Sequence, residues 1–278
     1  MRWERRTGAS PLARPQAGSY RRRAPTLTRA CRFSPMPKTL IAIPTYNESG
    51  NVEPLCRKLF EVGLDADILF MDDASPDGTG KIIDRLAAEN SRVKVVHRPA
   101  KLGIGSGHLD CIGYAYEHDY DLLITMDADF THPPERLPAV VEKAAGVDVV
   151  IGSRYLLRDS LEEWTMFRRM LSRAGHVLTR YVLGLENDAS SGLRLYQLRQ
   201  IPRELFALVD ARGYDFFFES LYVLRTNKYR IAEVGIHLPA RASGESKMTI
   251  KDATNGLFRL GRLRVLGALR PAKYRYRA

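Results

Sequence analysis

The chain has 278 residues, 45% hydrophobic and 27% charged, with a formal net charge of +11. That balance belongs to a folded globular protein and excludes whole-chain disorder, collagen-like repeats and a coiled coil. The charge is segregated: residues 1–35 carry +8 and residues 256–278 carry +7, leaving 36–255 at −4, which argues against specific nucleic-acid recognition by the body.

Residues 1–35 are rich in Arg, Pro, Ser and Ala and lack the apolar core of a secretory signal. They are expected to form a disordered basic extension. The composition also allows an organellar transit peptide, but strand-like sequence starts just after Met36, which we read as the initiator. From there apolar runs alternate with amphipathic segments. TLIAIP (39–44), DILFM (67–71), VKVVH (93–97), DLLITM (121–126) and VDVVIG (147–152) read as buried strands. Helices are predicted over 52–60, 79–88, about 107–118 and 135–145, the third after a glycine-rich turn, Gly103–Gly107. Strand–helix alternation of this kind predicts an α/β fold with a mostly parallel sheet and helices on both faces. After residue 160 a long helix over 164–183 is expected, with apolar positions at Phe167, Met170, Leu171, Val177, Leu178 and Val182. Strands over 192–198 and 229–238 and a helix over 214–225 complete a second half of mixed strand direction. Three cysteines, Cys31, Cys56 and Cys111, fit no metal spacing and suit a reducing, cytoplasmic setting.

In open parallel sheets ligands bind at the carboxyl ends of the strands. Strand two ends in Asp72-Asp73, followed by Ser75, Asp77, Gly78 and Thr79; strand four ends in Asp127-Ala128-Asp129, followed by His132-Pro133-Pro134. Asp77 reads as a turn former or helix cap, and His132 as structural. Asp127 and Asp129 lie two apart, so in extended chain they point the same way. Two such oxygen donors suit Mg²⁺ or Mn²⁺ shared with a ligand's phosphates. Asp73 is placed to accept hydrogen bonds from a ribose or base. The first strand–helix turn, Pro44-Thr45-Tyr46-Asn47-Glu48, lacks a dinucleotide glycine fingerprint, and no Walker motif occurs. Gly103–Gly107 reads as a flexible turn, with a phosphate cradle as the alternative.

These motifs, together with Gly152-Ser153-Arg154-Tyr155, Ser191-Gly192 through Tyr196, and Arg241-x-x-Gly244-x-Ser246-Lys247, occur in order. Over about residues 38–250 the chain resembles family 2 glycosyltransferases of the GT-A fold, and within them the dolichyl- and polyprenyl-phosphate mannosyltransferases. The resemblance implies transfer of a sugar from a nucleotide diphosphate to a lipid phosphate, with inversion. It implies nucleotide contacts from Pro44, Tyr46, Glu48 and Asp73, and metal and diphosphate binding by Asp127 and Asp129 with Ala128 between them. Many relatives carry Gln two residues after the second acid; here it is Thr131, a poorer ligand. Arg154, Arg168, Arg241 and Lys247 are the candidate cations for bringing one phosphate beside another, with Asp129, Arg154 and Arg168 placed nearest the chemistry. Asp188 is a candidate orienter of an arginine and Glu219 a buried partner for a cation. GDP-mannose is the implied donor, with UDP-glucose or UDP-N-acetylglucosamine as alternatives. A sugar nucleotidyltransferase and a non-catalytic nucleotide-sugar-binding module are the readings from other classes.

The implied layout is a catalytic domain over 36–250, its nucleotide-sugar half being 36–155 and its acceptor half 156–250. A basic amphipathic segment follows over 251–278. No run of about 18 apolar residues is present to span a membrane. Residues 250–270 interleave Arg259, Arg262 and Arg264 with leucines, as in a helix lying on an anionic surface, with a C-terminal helix packed on the body as the alternative. Peripheral attachment to the cytoplasmic face of a membrane is therefore expected. Relatives imply a membrane-anchoring subunit as a further partner.

Overall fold

The computed structural model describes residues 37–239 and 250–276, all within one unit spanning Pro37–Ala278. Arg241 and Lys247, and the extension before Pro37, lie outside the described residues. Seven strands form one sheet: β1 (Thr39–Thr45), β2 (Ala66–Asp72), β3 (Val93–His97), β4 (Leu122–Thr125), β5 (Val149–Ser153), β6 (Arg194–Gln197) and β7 (Ile231–Gly235). Their spatial order is β3-β2-β1-β4-β6-β5-β7. Only β6 runs antiparallel to its neighbours, which makes the second half mixed as expected.

The helices are α1 (Val52–Val62), α2 (Thr79–Glu89), α3 (Ile104–Glu117), α4 (Leu137–Lys143), α5 (Met166–Leu183), α6 (Phe216–Thr226) and α7 (Ile250–Leu269). Alternate residues of each central strand feed two cores. Leu40, Ala42, Leu69 and Met71 pack on one face, and Ile41, Ile43, Ile68 and Phe70 on the other. Both faces being covered is why these strands read as unbroken apolar runs. Each such fully buried Leu, Ile, Met or Phe side chain contributes about 1.5–3 kcal/mol. The chain moves from β1 outward through β2 and β3, then returns to place β4 on the other side of β1. That reversal opens a crevice above the carboxyl ends of β1, β2 and β4.

Two elements depart from the sequence reading. The glycine-rich segment is the first turn of α3 rather than a loop before it. A Cβ on Gly105 would lie 2.5 Å from the Gly213 carbonyl oxygen and 2.6 Å from Phe216 Cβ. The glycine therefore serves close packing of α3 on the 212–216 segment. The second departure is α5. Its start is set by Thr165, whose hydroxyl accepts the Arg168 N–H. Within it only Leu183 is buried; Phe167 (77% exposed), Met170, Leu171, Val177, Leu178 and Tyr181 (81%) face outward. The apolar stripe that would normally pack inward is on the surface. The neighbouring α7 behaves similarly. Leu260 and Leu263 are buried against the body, whereas Leu257, Phe258, Val265 and Leu269 are exposed. Arg259 pairs with Asp215 at 3.2 Å and fastens α7 to the start of α6.

Buried groups also set the acid response. His108, on α3, stacks on Phe216 and meets Phe217 edge-on, with ring centroids 5.4 and 5.0 Å away. Burial, with Arg194 and His132 adding to it, pushes its pKa down to about 3. The unfolded chain then binds a proton below about pH 6.5 that the folded chain refuses, so stability falls as pH drops below that value. Denaturant titrations should show a loss of about 1.4 kcal/mol per pH unit between pH 6 and 4.5 from this group. His108→Leu should flatten that slope, leaving the smaller part due to His176, which burial shifts the same way. An unchanged slope in the variant would contradict the assignment. Cys56 and Cys111 are buried; burial with Glu53 nearby takes Cys56 up to about 11, and burial raises Cys111 further, so both are inert thiols.

Candidate active site

The loops after β1 and β2 are stitched together by the motif residues themselves. Asp72 accepts the Ser75 hydroxyl at 2.5 Å and the Ser75 N–H at 3.1 Å, and Ser75 Oγ accepts the Asn47 N–H at 3.0 Å. The Thr79 hydroxyl accepts the Glu48 N–H at 2.9 Å. Asp77 accepts the Thr79 hydroxyl at 2.6 Å and the Ser49 N–H at 3.1 Å. Asp72, Ser75, Asp77 and Thr79 are thus scaffold. They hold Pro44, Tyr46 and Glu48, all partly buried, along the crevice. Glu48 accepts the Asn51 side-chain N–H at 2.6 Å. Lys101 lies 4.2 Å above the Tyr46 ring and closes this side.

Asp73 is buried. Its carboxylate pairs with Arg98 and accepts the Leu102 N–H at 3.2 Å. Arg98 is itself buried, bonded to the Ser106 hydroxyl and 2.9 Å from Asp110. This arginine escaped the sequence reading. Its one signal is its place immediately after β3, level with the acid after β2: its N–H bonds the Asp72 carbonyl at 2.7 Å.

The acid pair is built differently from an extended strand end. β4 stops at Thr125, and the chain bends over Ala128–Phe130, with Phe130 at φ +61. Ala128 is buried in the core. Asp129 is buried, and its Oδ1 accepts both the hydroxyl (2.6 Å) and the N–H (3.1 Å) of Thr131. Thr131 therefore steadies the acid. The Asp127 side chain is 33% exposed, and its N–H donates to His132 Nδ1 at 3.0 Å. Among the described residues no group of three or more His, Cys, Asp or Glu converges as a metal cage. Two hard oxygen donors at a crevice fit Mg²⁺ or Mn²⁺, which keeps most of its shell for waters and phosphate oxygens. They do not fit the closed nitrogen and sulfur shell of structural zinc.

Arg154, just beyond β5, carries the positive side. It is largely buried, and its Nε donates to Asp188 at 2.9 Å. Asp188, fully buried, also accepts the Ser190 hydroxyl at 2.9 Å, and its own N–H reaches Glu233 at 2.8 Å. Burial opposes the Arg154 charge, but Asp188, with Tyr155 and Asp127 adding, outweighs it and raises its pKa. Burial likewise pushes the Asp188 carboxyl up, yet Arg154 and the Ser190 bonds bring it below the usual range. Asp127 lies close enough to act on Arg154. Arg168, exposed on the first turn of α5, stacks 3.7 Å from the Trp164 ring, and Arg154 lies 5.8 Å from the same ring. Arg194, invisible as a site residue in the sequence, is fully buried on β6. It donates to the carbonyls of Ser191 (3.0 Å) and Phe217 (2.6 Å) and to the Ser220 hydroxyl (2.9 Å), fastening the 189–191 turn to α6. Glu219, read as a buried partner for a cation, accepts the Ala211 N–H at 2.8 Å and feels the charge of Arg259.

The model of the family described as glycosyl transferase family 2 matches residues 40–203, the stretch that builds this crevice. The chain belongs to that family. Among curated family members, an undecaprenyl-phosphate mannosyltransferase of Micrococcus luteus is 37% identical over 213 residues, covering 76% of this chain and 88% of its own. A polyprenol monophosphomannose synthase of Mycolicibacterium smegmatis is 33% identical over 242 residues, covering 86% and 91%. Among solved structures, glucosyl-3-phosphoglycerate synthase from Mycobacterium tuberculosis, in complex with Mn²⁺, UDP and glucosyl-3-phosphoglycerate, superposes with a TM-score of 0.52 at 20% identity. It covers 84% of this chain and 79% of its own. This glycosyltransferase thus has the GT-A-type fold: a seven-stranded, mostly parallel sheet flanked by helices.

Proposed function

We propose that this glycosyltransferase moves mannose from GDP-mannose onto a polyprenyl phosphate, with inversion and with Mg²⁺ or Mn²⁺. The observation that carries the reading is that Asp127, the first acid after β4, acts on the Asp188-bound Arg154, with Asp129 two residues along the same turn. The relatives' names supply the mannose and the polyprenyl phosphate, and the Mn²⁺ of the glucosyl-3-phosphoglycerate synthase complex supports the cation. Asp127 and Asp129 would hold a divalent ion, which would supply Lewis-acid neutralisation of the departing diphosphate. Pro44, Tyr46, Glu48 and Asp73 line the nucleotide side. An oxygen of the acceptor phosphate attacks C1 of the sugar, the bond from C1 to the diphosphate oxygen breaks, and GDP leaves. A phosphate monoester has a second pKa of about 6, so it attacks ionised and needs no general base. It needs cations to overcome anion–anion repulsion, the role given to Arg154 and Arg168, with Arg241 and Lys247 proposed alongside them. The test is incubation with radiolabelled nucleotide sugars and polyprenyl phosphate, followed by organic extraction. Label should enter the organic phase from GDP-mannose. Label from a UDP-sugar instead would overturn the donor, and pyrophosphate release would place the enzyme in another class.

No helix among the described residues is long and apolar enough to cross a membrane. The outward stripes of α5 and α7, which pack side by side, offer an apolar face edged by arginines instead. We place this face in the membrane interface beside the crevice, since α5 also carries Arg168. Phe167→Ser/Leu178→Ser should weaken co-flotation with anionic vesicles by about tenfold or more. Equal flotation of variant and parent would contradict the placement.

A further inference from the structure

We propose that His132 and Gly192 are positioning residues that hold Asp127 in its ligating orientation, a role that rests on the metal reading above. His132 is 2% exposed, and its Nδ1 accepts the Asp127 N–H at 3.0 Å, which requires the neutral tautomer with the proton on Nε2. The same nitrogen lies 3.7 Å from Asp127 Oδ2, so the imidazole sits against both the backbone and the carboxylate of one acid. Pro133 follows directly and biases His132 toward extended backbone, removing alternatives for the turn. Gly192 also borders Asp127. A Cβ there would stand 3.0 Å from Asp127 Oδ1 and 3.3 Å from His132 Cε1. Gly192 is itself fixed, because the Thr125 hydroxyl, at the last residue of β4, donates to its carbonyl at 2.9 Å. Asp127 therefore meets an imidazole and a bare backbone together, the backbone tied to β4. Partners of this kind orient metal ligands, and their loss typically weakens metal binding 10–100-fold.

The test uses the full chain with GDP, reading free Mn²⁺ by electron paramagnetic resonance and the protection of the Asp127 amide by hydrogen exchange. In His132→Asn the side-chain oxygen replaces Nδ1 as acceptor; in His132→Gln the acceptor moves to the Nε2 position; His132→Leu has none. The Asn variant should keep Mn²⁺ affinity within about threefold and keep the amide protected. The Gln and Leu variants should lose 10–100-fold and expose the amide. Gly192→Ala, which leaves the imidazole bond in place, should weaken Mn²⁺ with the amide still protected, and it serves independently should a His132 variant fail to fold. Unchanged Mn²⁺ affinity in folded His132→Leu or Gly192→Ala, or a loss in Asn equal to that in Leu, would overturn the proposal alone. Absence of Mn²⁺ binding by the parent enzyme would overturn the metal reading and this role with it.

Discussion

Asp129→Ala should abolish metal-dependent sugar transfer, with turnover falling by about 10³-fold or more, on the scale of losing a preorganised stabiliser of transition-state charge. The side chain is buried, and its Oδ1 holds the N–H and hydroxyl of Thr131. Alanine therefore also strands two donors, at a cost of about 1–3 kcal/mol. Asp129→Asn separates the two effects, since its amide oxygen still accepts from Thr131 but the charge is gone. It should melt close to the parent and still be inactive. Near-normal turnover in folded Asp129→Asn would refute the metal assignment.

The second large effect concerns stability. Asp188→Ala leaves the Arg154 guanidinium buried without its carboxylate, a change worth about 3–5 kcal/mol. At about 2–4 °C per kcal/mol for a domain of this size, melting should drop by roughly 10 °C. Activity should fall with it, because Nε no longer fixes the arginine. Arg154→Lys keeps a charge but loses the planar fork, so it should retain more stability than Asp188→Ala while losing transfer. The pH dependence distinguishes this pair from His108. The Asp188 carboxyl lies below its usual range in the fold, so its contribution is present above about pH 4 and lost only below it. Losses between pH 6.5 and about 5 then belong to the histidines. A melting temperature within 2–4 °C of the parent in Asp188→Ala, the shift of about 1 kcal/mol, would contradict the buried pair.

How far the sequence could be read follows from which forces act locally. The strands of the first half are apolar on both faces, so β1, β2 and β3 were predicted to within a residue or so. The crossover rule then carried Asp73 and Asp127 to one crevice without any knowledge of contacts. What depended on distant partners was not legible. Arg98 gains meaning only from Asp73, and Arg194 only from carbonyls of the 189–191 turn and α6. The bend at Ala128–Phe130 follows from Asp129 bonding Thr131, a local device that hydrophobic periodicity does not register. The apolar positions of α5 were identified correctly as a helical stripe, but periodicity reports that a face is apolar and not which way it points. Gly105 misled for a related reason: a glycine needed for close helix packing looks the same as one in a flexible turn.

The central claim is that Asp127 and Asp129 together hold a divalent cation against the donor's diphosphate. The most direct measurement is an anomalous difference map from crystals grown with GDP and Mn²⁺. A peak within bonding distance of carboxylate oxygens from both residues and of a GDP phosphate is the predicted result. GDP seated in the crevice with manganese elsewhere, or with no peak at all, would contradict the account.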